Sequence, residues 1–156
     1  MTVKKAVAKQ YQAIVERATA SIGNEWSFPS EGWIATVRKA LGMSGAQLAR
    51  RLNVTRSRVS QAEQAELSGG MTLKTMQSTA EAMGCRFIYA IVPVEGGIRD
   101  VVAAQARKKA EALVGKASAH MGLERQSLSD EKNKAEVASI ASELSRTMPA
   151  DFWDDQ

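Results

Sequence analysis

Cysteine, histidine and long apolar runs are scarce in this sequence. Its 156 residues include one cysteine and one histidine. A single cysteine excludes an internal disulfide framework, and Cys85 is expected to be buried because it opens an apolar run. His120 has no accompanying motif for a zinc site or for a Ser-His-Asp arrangement. We therefore expect no enzyme, no metal site and no cofactor.

No segment has the apolar length of a signal peptide or a membrane span. The first ten residues carry Lys4, Lys5 and Lys9, and no long apolar stretch follows them. The chain is therefore expected to be cytoplasmic and to have no membrane partner. Its 44% of apolar residues suffice for the core of one domain of ordinary size with extensions.

Positive charge is concentrated in the first part of the chain. Residues 1–60 contain ten Lys or Arg and three acidic residues, a net charge of +7, whereas residues 61–156 carry −3. A basic segment is typical of proteins that bind a polyanion, because neutralised phosphates release counterions. A solvated charged surface is the alternative explanation.

Two short amphipathic segments follow one another between residues 42 and 63. The first has apolar residues at helical spacing, and Ser44 can cap its free N–H groups. Asn53 tolerates the left-handed conformation that a sharp turn needs, and Val54 is expected to be buried between the two helices. The pattern predicts a helix, a tight turn and a second helix.

The second segment begins at Thr55, whose hydroxyl can cap the helix, and it turns Val59 and Ala62 inward. The outward-facing side chains can all donate hydrogen bonds; they are Arg56, Ser57, Arg58, Ser60 and Gln61. The major groove of DNA admits one helix and presents acceptors on guanine and adenine, so these donors are the groups that base reading requires. The pattern predicts a helix-turn-helix DNA reader. A helical bundle with polar outer faces is the alternative.

The rest of the chain is predicted to be mainly helical. Helices are expected over residues 3–22, from Trp33 to Leu41, from Thr72 to Met83, over 98–120 and over 129–147. Thr72 and Lys74, at the start of one helix, are candidates for a contact with a DNA phosphate. We divide the chain into an N-terminal helix with a linker (1–30), the helix-turn-helix domain (31–84), a strand with a turn (85–97) and a C-terminal helical arm (98–156).

Residues 85–93 depart from the helical pattern. They alternate apolar side chains on two faces, with Phe87, Tyr89 and Ile91 on one of them, which predicts a strand buried on both sides. A strand needs a partner: residues 25–28 could supply a short one, or the strand could pair with itself across a twofold axis. We favour the second, because a homodimer presents two recognition helices to half-sites about 34 Å apart.

The chain ends in an acidic tail with two aromatic residues. From residue 117 onward there are four basic and eight acidic residues, and Phe152 and Trp153 lie near the terminus. Neighbouring aromatic side chains are rarely left exposed without a partner. They are expected either to fold back over the helices or to help hold another protein.

Residues 33–83 resemble the helix-turn-helix domain shared by phage repressors and many bacterial antitoxins, a compact helical bundle. From about residue 10 onward the chain resembles the mobile mystery protein A family, whose members are encoded beside a Fic-domain partner. The resemblance rests on the stretch from Arg38 to Glu63 and on the runs Met71-Thr-Leu-Lys-Thr-Met, Cys85-Arg-Phe-Ile-Tyr-Ala-Ile-Val-Pro, His120-Met-Gly-Leu-Glu and Phe152-Trp-Asp-Asp.

The resemblance implies roles for individual residues. It places Arg56, Ser57 and Gln61 near base edges. It places five residues at the DNA backbone: Ser44, Gln47, Thr55, Arg58 and Ser60. Arg38 and Glu63 match positions that form an internal ion pair in this fold, so we assign them to structure.

Two positions depart from the pattern of the resembled domain. Many members have Gln where this chain has Gly45, so a side-chain clamp on the DNA backbone is expected to be missing. Ala65 replaces a Gly that commonly ends the recognition helix, so the helix is expected to continue to Leu67 and to stop at Gly69-Gly70.

The resemblance also implies a Fic-type toxin, an enzyme that transfers AMP from ATP to hydroxyl groups, as partner. Inhibitors of such enzymes often carry Ser or Thr, three residues, and Glu followed by Gly or Asn. Ser139 and Glu143 have this spacing but Leu144 follows, and the pairs at 21 and 25 and at 127 and 131 also lack the Gly or Asn. The candidate toxin contacts are Ser139, Glu143, Phe152 and Trp153.

The sequence thus favours an antitoxin that neutralises a Fic-type toxin and represses its own operon by binding operator DNA as a dimer. A stand-alone transcriptional repressor is one alternative. A protein inhibitor whose helix-turn-helix does not read DNA is another.

Overall fold

The computed structural model describes residues 2–23, 26–121 and 130–155. These residues contain seven helices: α1 (Val3–Ile22), α2 (Trp33–Ala40), α3 (Gly45–Leu52), α4 (Arg56–Ser68), α5 (Leu73–Ala82), α6 (Ile98–Met121) and α7 (Asp130–Thr147). The predicted mainly helical fold is confirmed. The chain divides into two compact units, Ile22–Ala90 and a second that combines Met1–Ser21 with Ile91–Gln156.

The unit Ile22–Ala90 is a bundle of four short helices around a small apolar core. One buried side chain or more comes from each of α2, α3, α4 and α5, and the cluster consists of Ile34, Leu48, Ala49, Val59, Met76 and Met83. Because α3 contributes two of these residues and packs on both α4 and α5, it lies at the centre of the unit. The core therefore fixes the position of α4 relative to α3.

The predicted strand at residues 85–93 is wrong. No strand occurs in the described ranges, and this segment has no regular secondary structure; of its residues, Phe87 packs against the core. Ile88, Tyr89 and Ile91 are 76%, 71% and 91% exposed, and Cys85, predicted to be buried, is also exposed. The alternation of apolar residues favours extended backbone, but without a second strand in these residues no ladder can form.

The other unit is built on α6 and α7, which pack against each other. Its buried residues include Ala106 and Ala110 of α6, which are completely buried, and Phe152 of the tail, which is 1% exposed. The chain reverses direction after α7 at Met148, which has a φ of 43°. The tail then returns to α6, so Phe152 follows the first of the two alternatives and folds back over the helices.

Polar contacts hold the tail in place. The side-chain amide of Gln105 donates to the carbonyl oxygen of Phe152 at 2.8 Å, and Lys108 Nζ lies 2.6 Å from Asp155 Oδ1. The hydrogen bond from Lys108 lowers the pKa of Asp155 below its ordinary value. The carboxylate is therefore ionised at neutral pH, and its contribution to holding the tail is lost as the pH falls through that lowered pKa.

In this same unit, α1 contacts the start of α6 through a carboxylate. Glu16 Oε1 accepts a hydrogen bond from the backbone N–H of Ile98 at 3.1 Å, next to the N–H of Gly97, which donates to Asp100 Oδ2 at 2.7 Å. Two carboxylates therefore satisfy free N–H groups at the α6 N-terminus, where negative charge is favourable. No described helix combines the length and apolar character that crossing a membrane requires.

Candidate nucleic-acid interface

The first helix of the predicted motif, α3, begins with a capping box. Ser44 Oγ accepts a hydrogen bond from the backbone N–H of Gln47 at 3.1 Å, and Gln47 Oε1 accepts one from the N–H of Ser44 at 2.7 Å. Both side chains are exposed, and the amide nitrogen of Gln47 remains a donor. The N-terminus of α3 is therefore rigid and open to an anion.

The turn between the two helices has the predicted left-handed residue. Asn53 has φ 56° and ψ 44°, and the backbone N–H of Val54 donates to the carbonyl oxygen of Ala49 at 2.9 Å. The expectation that Val54 is buried between the helices is wrong, since 40% of it is exposed. The core between α3 and α4 is formed by Leu48, Ala49 and Val59, and Val54 does not belong to it.

Helix α4 presents a polar N-terminal face. Thr55 caps it by accepting a hydrogen bond from the N–H of Arg58 at 3.2 Å, and Val59, at 3% exposure, anchors it in the core. All five side chains predicted to face outward are exposed: Arg56, Ser57, Arg58, Ser60 and Gln61. The first two turns of α4 therefore display two guanidinium groups, two hydroxyls and one amide on a fixed backbone.

An ion pair joins α4 to α2. Arg38 Nε lies 2.7 Å from Glu63 Oε1, and Arg38 also donates to the carbonyl oxygen of Met43 at 3.1 Å. The side chains are 15% and 20% exposed, and the hydrogen bond that Arg38 donates to Glu63 raises the pKa of Arg38. The guanidinium thus ties together α4, α2 and the loop that leads into α3, which is the structural role predicted for this pair.

A second carboxylate from α4 caps α2, and the sequence analysis missed it. Glu66 accepts hydrogen bonds from the backbone N–H groups of Trp33 and Ile34 at 2.7 and 3.0 Å. A Cβ atom added at Gly32, which has φ 84°, would lie 2.9 Å from Glu66 Oε2. The signal was present in the sequence, because α2 lacks a Ser, Thr, Asp or Asn at its N-cap and its free N–H groups need an acceptor.

The starts of α3 and α4 lie close together. A Cβ atom placed on Gly45 would be 3.9 Å from Arg56 Cγ and would meet nothing nearer. The α3 N-terminus and Arg56 therefore belong to one continuous surface, which could contact a DNA phosphate and the neighbouring bases together. We call this surface, formed by residues 44–47 and the exposed side chains of 55–61, the recognition face.

Helix α5 is the third helix, after α3 and α4, that is capped by the side chain of the residue just before it. Thr72 Oγ1 accepts from the backbone N–H of Thr75 at 3.1 Å, and the hydroxyls of these threonines lie 2.8 Å apart. Lys74 is exposed beside them. The geometry leaves Lys74 as the charged group of this predicted phosphate contact.

Helix α4 ends where the sequence predicts, at Gly69. The helix continues to Ser68, and Gly69 closes it in the left-handed conformation with φ 78°. Arg51, which the sequence analysis did not single out, donates from Nε to the carbonyl oxygen of Ala82 and so connects α3 to the end of α5.

The candidate toxin contacts differ in their exposure. Ser139 and Glu143 are exposed on α7, and Glu143 pairs with Arg146 at 2.5 Å, which lowers the pKa of the carboxyl. Trp153 is 54% exposed, whereas Phe152 is buried and is not available to a partner. Of the other pairs with the Ser-Glu spacing, residues 25 and 127 lie outside the described residues, as does the side chain of His120.

Among the described residues there is no group of three or more His, Cys, Asp or Glu that could hold a metal ion. The recognition face consists of hydrogen-bond donors and two capped helix N-termini. Hydrogen-bond donors of this kind suit phosphate and base acceptors.

Comparison with known protein families identifies residues 34–89 as a helix-turn-helix domain. This match covers α2 from Ile34 onward together with α3, α4 and α5, and so includes the recognition face on α3 and α4. No curated protein and no solved structure matches the chain. Residues 34–89 are therefore similar to the helix-turn-helix domains of the phage-repressor type.

Proposed function

We propose that the protein is a transcriptional repressor that binds its own operator by reading bases with α4. The observation that carries the proposal is the recognition face: exposed donors on the first two turns of a helix whose backbone is held by Val59, Glu63 and Glu66. Because the helix is held in one position, its donors keep a fixed arrangement, which supports sequence-specific binding of DNA.

In the proposed complex, Arg56, Ser57 and Gln61 contact base edges in the major groove. Arg pairs best with guanine O6 and N7, and Gln with adenine N6 and N7. Two separate groups of residues contact phosphates, namely Ser44, Gln47, Thr55, Arg58 and Ser60 on the recognition face, and Thr72 and Lys74 at α5. Backbone N–H groups at capped helix starts contribute to both, because the helix dipole favours an anion there.

We further propose that two copies bind as a symmetric dimer, because paired half-sites about one helical turn apart are the usual target of this motif. Sedimentation at micromolar concentration, with and without operator DNA, measures the stoichiometry. Binding of one copy per operator would overturn the dimer while leaving base reading intact.

Binding to the promoter fragment upstream of the gene tests the repressor proposal. Affinity should fall by at least about tenfold between 50 and 200 mM salt, and the protein should protect guanine N7 atoms from methylation, since these atoms lie in the major groove. A salt-independent affinity, or an unprotected major groove, would contradict it.

A second proposed function is that of an antitoxin for a Fic-domain enzyme encoded beside this chain. The family resemblance supports it, together with the exposed Glu143 and Trp153 of the C-terminal unit. We expect no catalysis by this chain. Co-purification with the neighbouring Fic-domain protein, and loss of that enzyme's AMP transfer in the complex, tests the proposal. Without such a complex, the stand-alone repressor is the better account.

A further inference from the structure

Helix α1 carries a row of exposed apolar side chains. Val3, Val7, Tyr11 and Ile14 are 81%, 41%, 68% and 54% exposed, and none of the residues of α1 is buried. At 3.6 residues per turn, the four lie within about 80° of one another and extend along about 17 Å of helix. We call this surface the α1 apolar row. It is a continuous strip and not a set of isolated side chains.

The row lies on the side of α1 that faces away from α6. The contact with α6 is made by Glu16, which accepts the hydrogen bond from the N–H of Ile98. Glu16 lies roughly 180° around the helix from the centre of the row. The attachment of α1 to its own unit therefore leaves the row uncovered.

The charges that flank the row are positive. Of the four cations of α1, Lys4 and Arg17 lie about 60° and 80° from the centre of the row, one on each side, whereas Lys5 and Lys9 lie on the opposite face. The ion pairs found among the described residues involve none of the cations of α1. The one acidic residue of α1, Glu16, is engaged at the start of α6. A second copy of α1 would bring the same cations and no available carboxylate, so it is a poor match by charge.

The width of the row favours a protein groove over a lipid surface. Helices that lie in a membrane interface have a broad apolar face rich in Leu, Phe and Trp. The α1 apolar row is narrow and consists of three β-branched residues and one tyrosine. A narrow strip is typical of a helix that packs along another helix or in a groove.

We propose that the α1 apolar row docks into an apolar groove of a partner protein, and that Asp and Glu residues bordering this groove pair with Lys4 and Arg17. The inference rests on the proposed antitoxin function, because the neighbouring Fic-domain protein is the partner used to test it. It adds a binding surface on α1 to the candidate contacts Ser139, Glu143 and Trp153.

The test compares two double variants of the full chain that add the same charge. Val7→Glu with Ile14→Glu places two carboxylates in the row and should weaken binding to the Fic-domain protein by about 100-fold or more. Ala6→Glu with Ala20→Glu places them at exposed positions of α1 outside the row and should weaken binding far less. Circular dichroism and operator binding should be the same for both variants and the unmodified chain.

Equal effects of the two double variants on a complex that does form would overturn the docking inference and leave the antitoxin proposal in place. Failure of the unmodified chain to bind the Fic-domain protein would overturn both. Self-association, or binding to phosphatidylglycerol vesicles, that is lost only in the row variant would also overturn the inference, since it would assign the row to a second copy or to a membrane.

Discussion

The glycine at position 45 is the residue whose replacement should strengthen DNA binding. A Cβ atom there has ordinary van der Waals space beside Arg56. Gly45→Gln should add a donor at the start of α3 and increase affinity for DNA of any sequence by about threefold to tenfold, since a contact to phosphate carries no sequence information. Titration of operator and unrelated DNA measures this. A gain confined to the operator would contradict the phosphate assignment.

Glu66 is a second residue with a specific expected effect. It satisfies two N–H groups at the start of α2, so Glu66→Ala should lower the free energy of unfolding by about 1–2 kcal/mol. Gln64→Ala, at an exposed position of the same helix, is the matched control and should change it by less than about 0.5 kcal/mol. Urea unfolding followed by circular dichroism gives both values. Equal effects of the two variants would show that the Glu66 cap does not contribute to the free energy of unfolding.

Helix boundaries were the part of the fold that the sequence predicted best. Ser44, Asn53, Thr55 and Thr72 occupy cap or turn positions as expected, because the backbone groups that they satisfy lie within a few residues of them. The recognition helix also ends at Gly69, where it was expected to end.

Contacts between elements were predicted less well. The alternation in residues 85–93 indicates extended backbone but does not say whether another segment pairs with it, and Val54 and Cys85 are exposed because of packing that no local pattern encodes. The cap that Glu66 makes on α2 depends on residues more than 30 positions apart. The ion pair of Arg38 and Glu63, which are 25 positions apart in the sequence, was predicted only from the family resemblance.

The tail that returns to α6 is an element whose stability can be tested. Phe152 is 1% exposed, and its ring lies edge-on to Trp153 at a centroid distance of 4.9 Å. Phe152→Ala should lower the free energy of unfolding of the unit that contains α6 and α7 by about 3–5 kcal/mol, because it removes a buried aromatic ring and leaves a cavity. Trp153→Ala should lower it by about 1 kcal/mol.

Hydrogen exchange of α6 and α7 amides, compared among these variants, reports on this unit separately. The expected result is a much larger increase of α6 exchange in Phe152→Ala than in Trp153→Ala. Equal exchange in both variants would contradict an anchoring role for the Phe152 ring.

The net charge of the whole molecule and its distribution predict that the protein binds a polyanion. The chain carries +4 overall, with the positive excess in residues 1–60. Charge alone predicts affinity for any DNA, whereas the geometry of α4 predicts a difference between sequences. Measuring binding at several salt concentrations separates these two contributions. Phosphate contacts determine the slope of log affinity against log salt concentration, whereas base contacts change the affinity at every salt concentration.

Competition binding of the Arg56→Ala and Gln61→Ala variants, with Arg58→Ala as the backbone-contact control, separates base reading from general attraction. On the promoter fragment, each of the first two should lose about 1–3 kcal/mol of binding free energy and discriminate less between operator and unrelated DNA. Arg58→Ala should weaken binding to both DNAs equally and lower the salt dependence. If Arg56→Ala and Gln61→Ala also weaken every DNA equally, then α4 does not read bases.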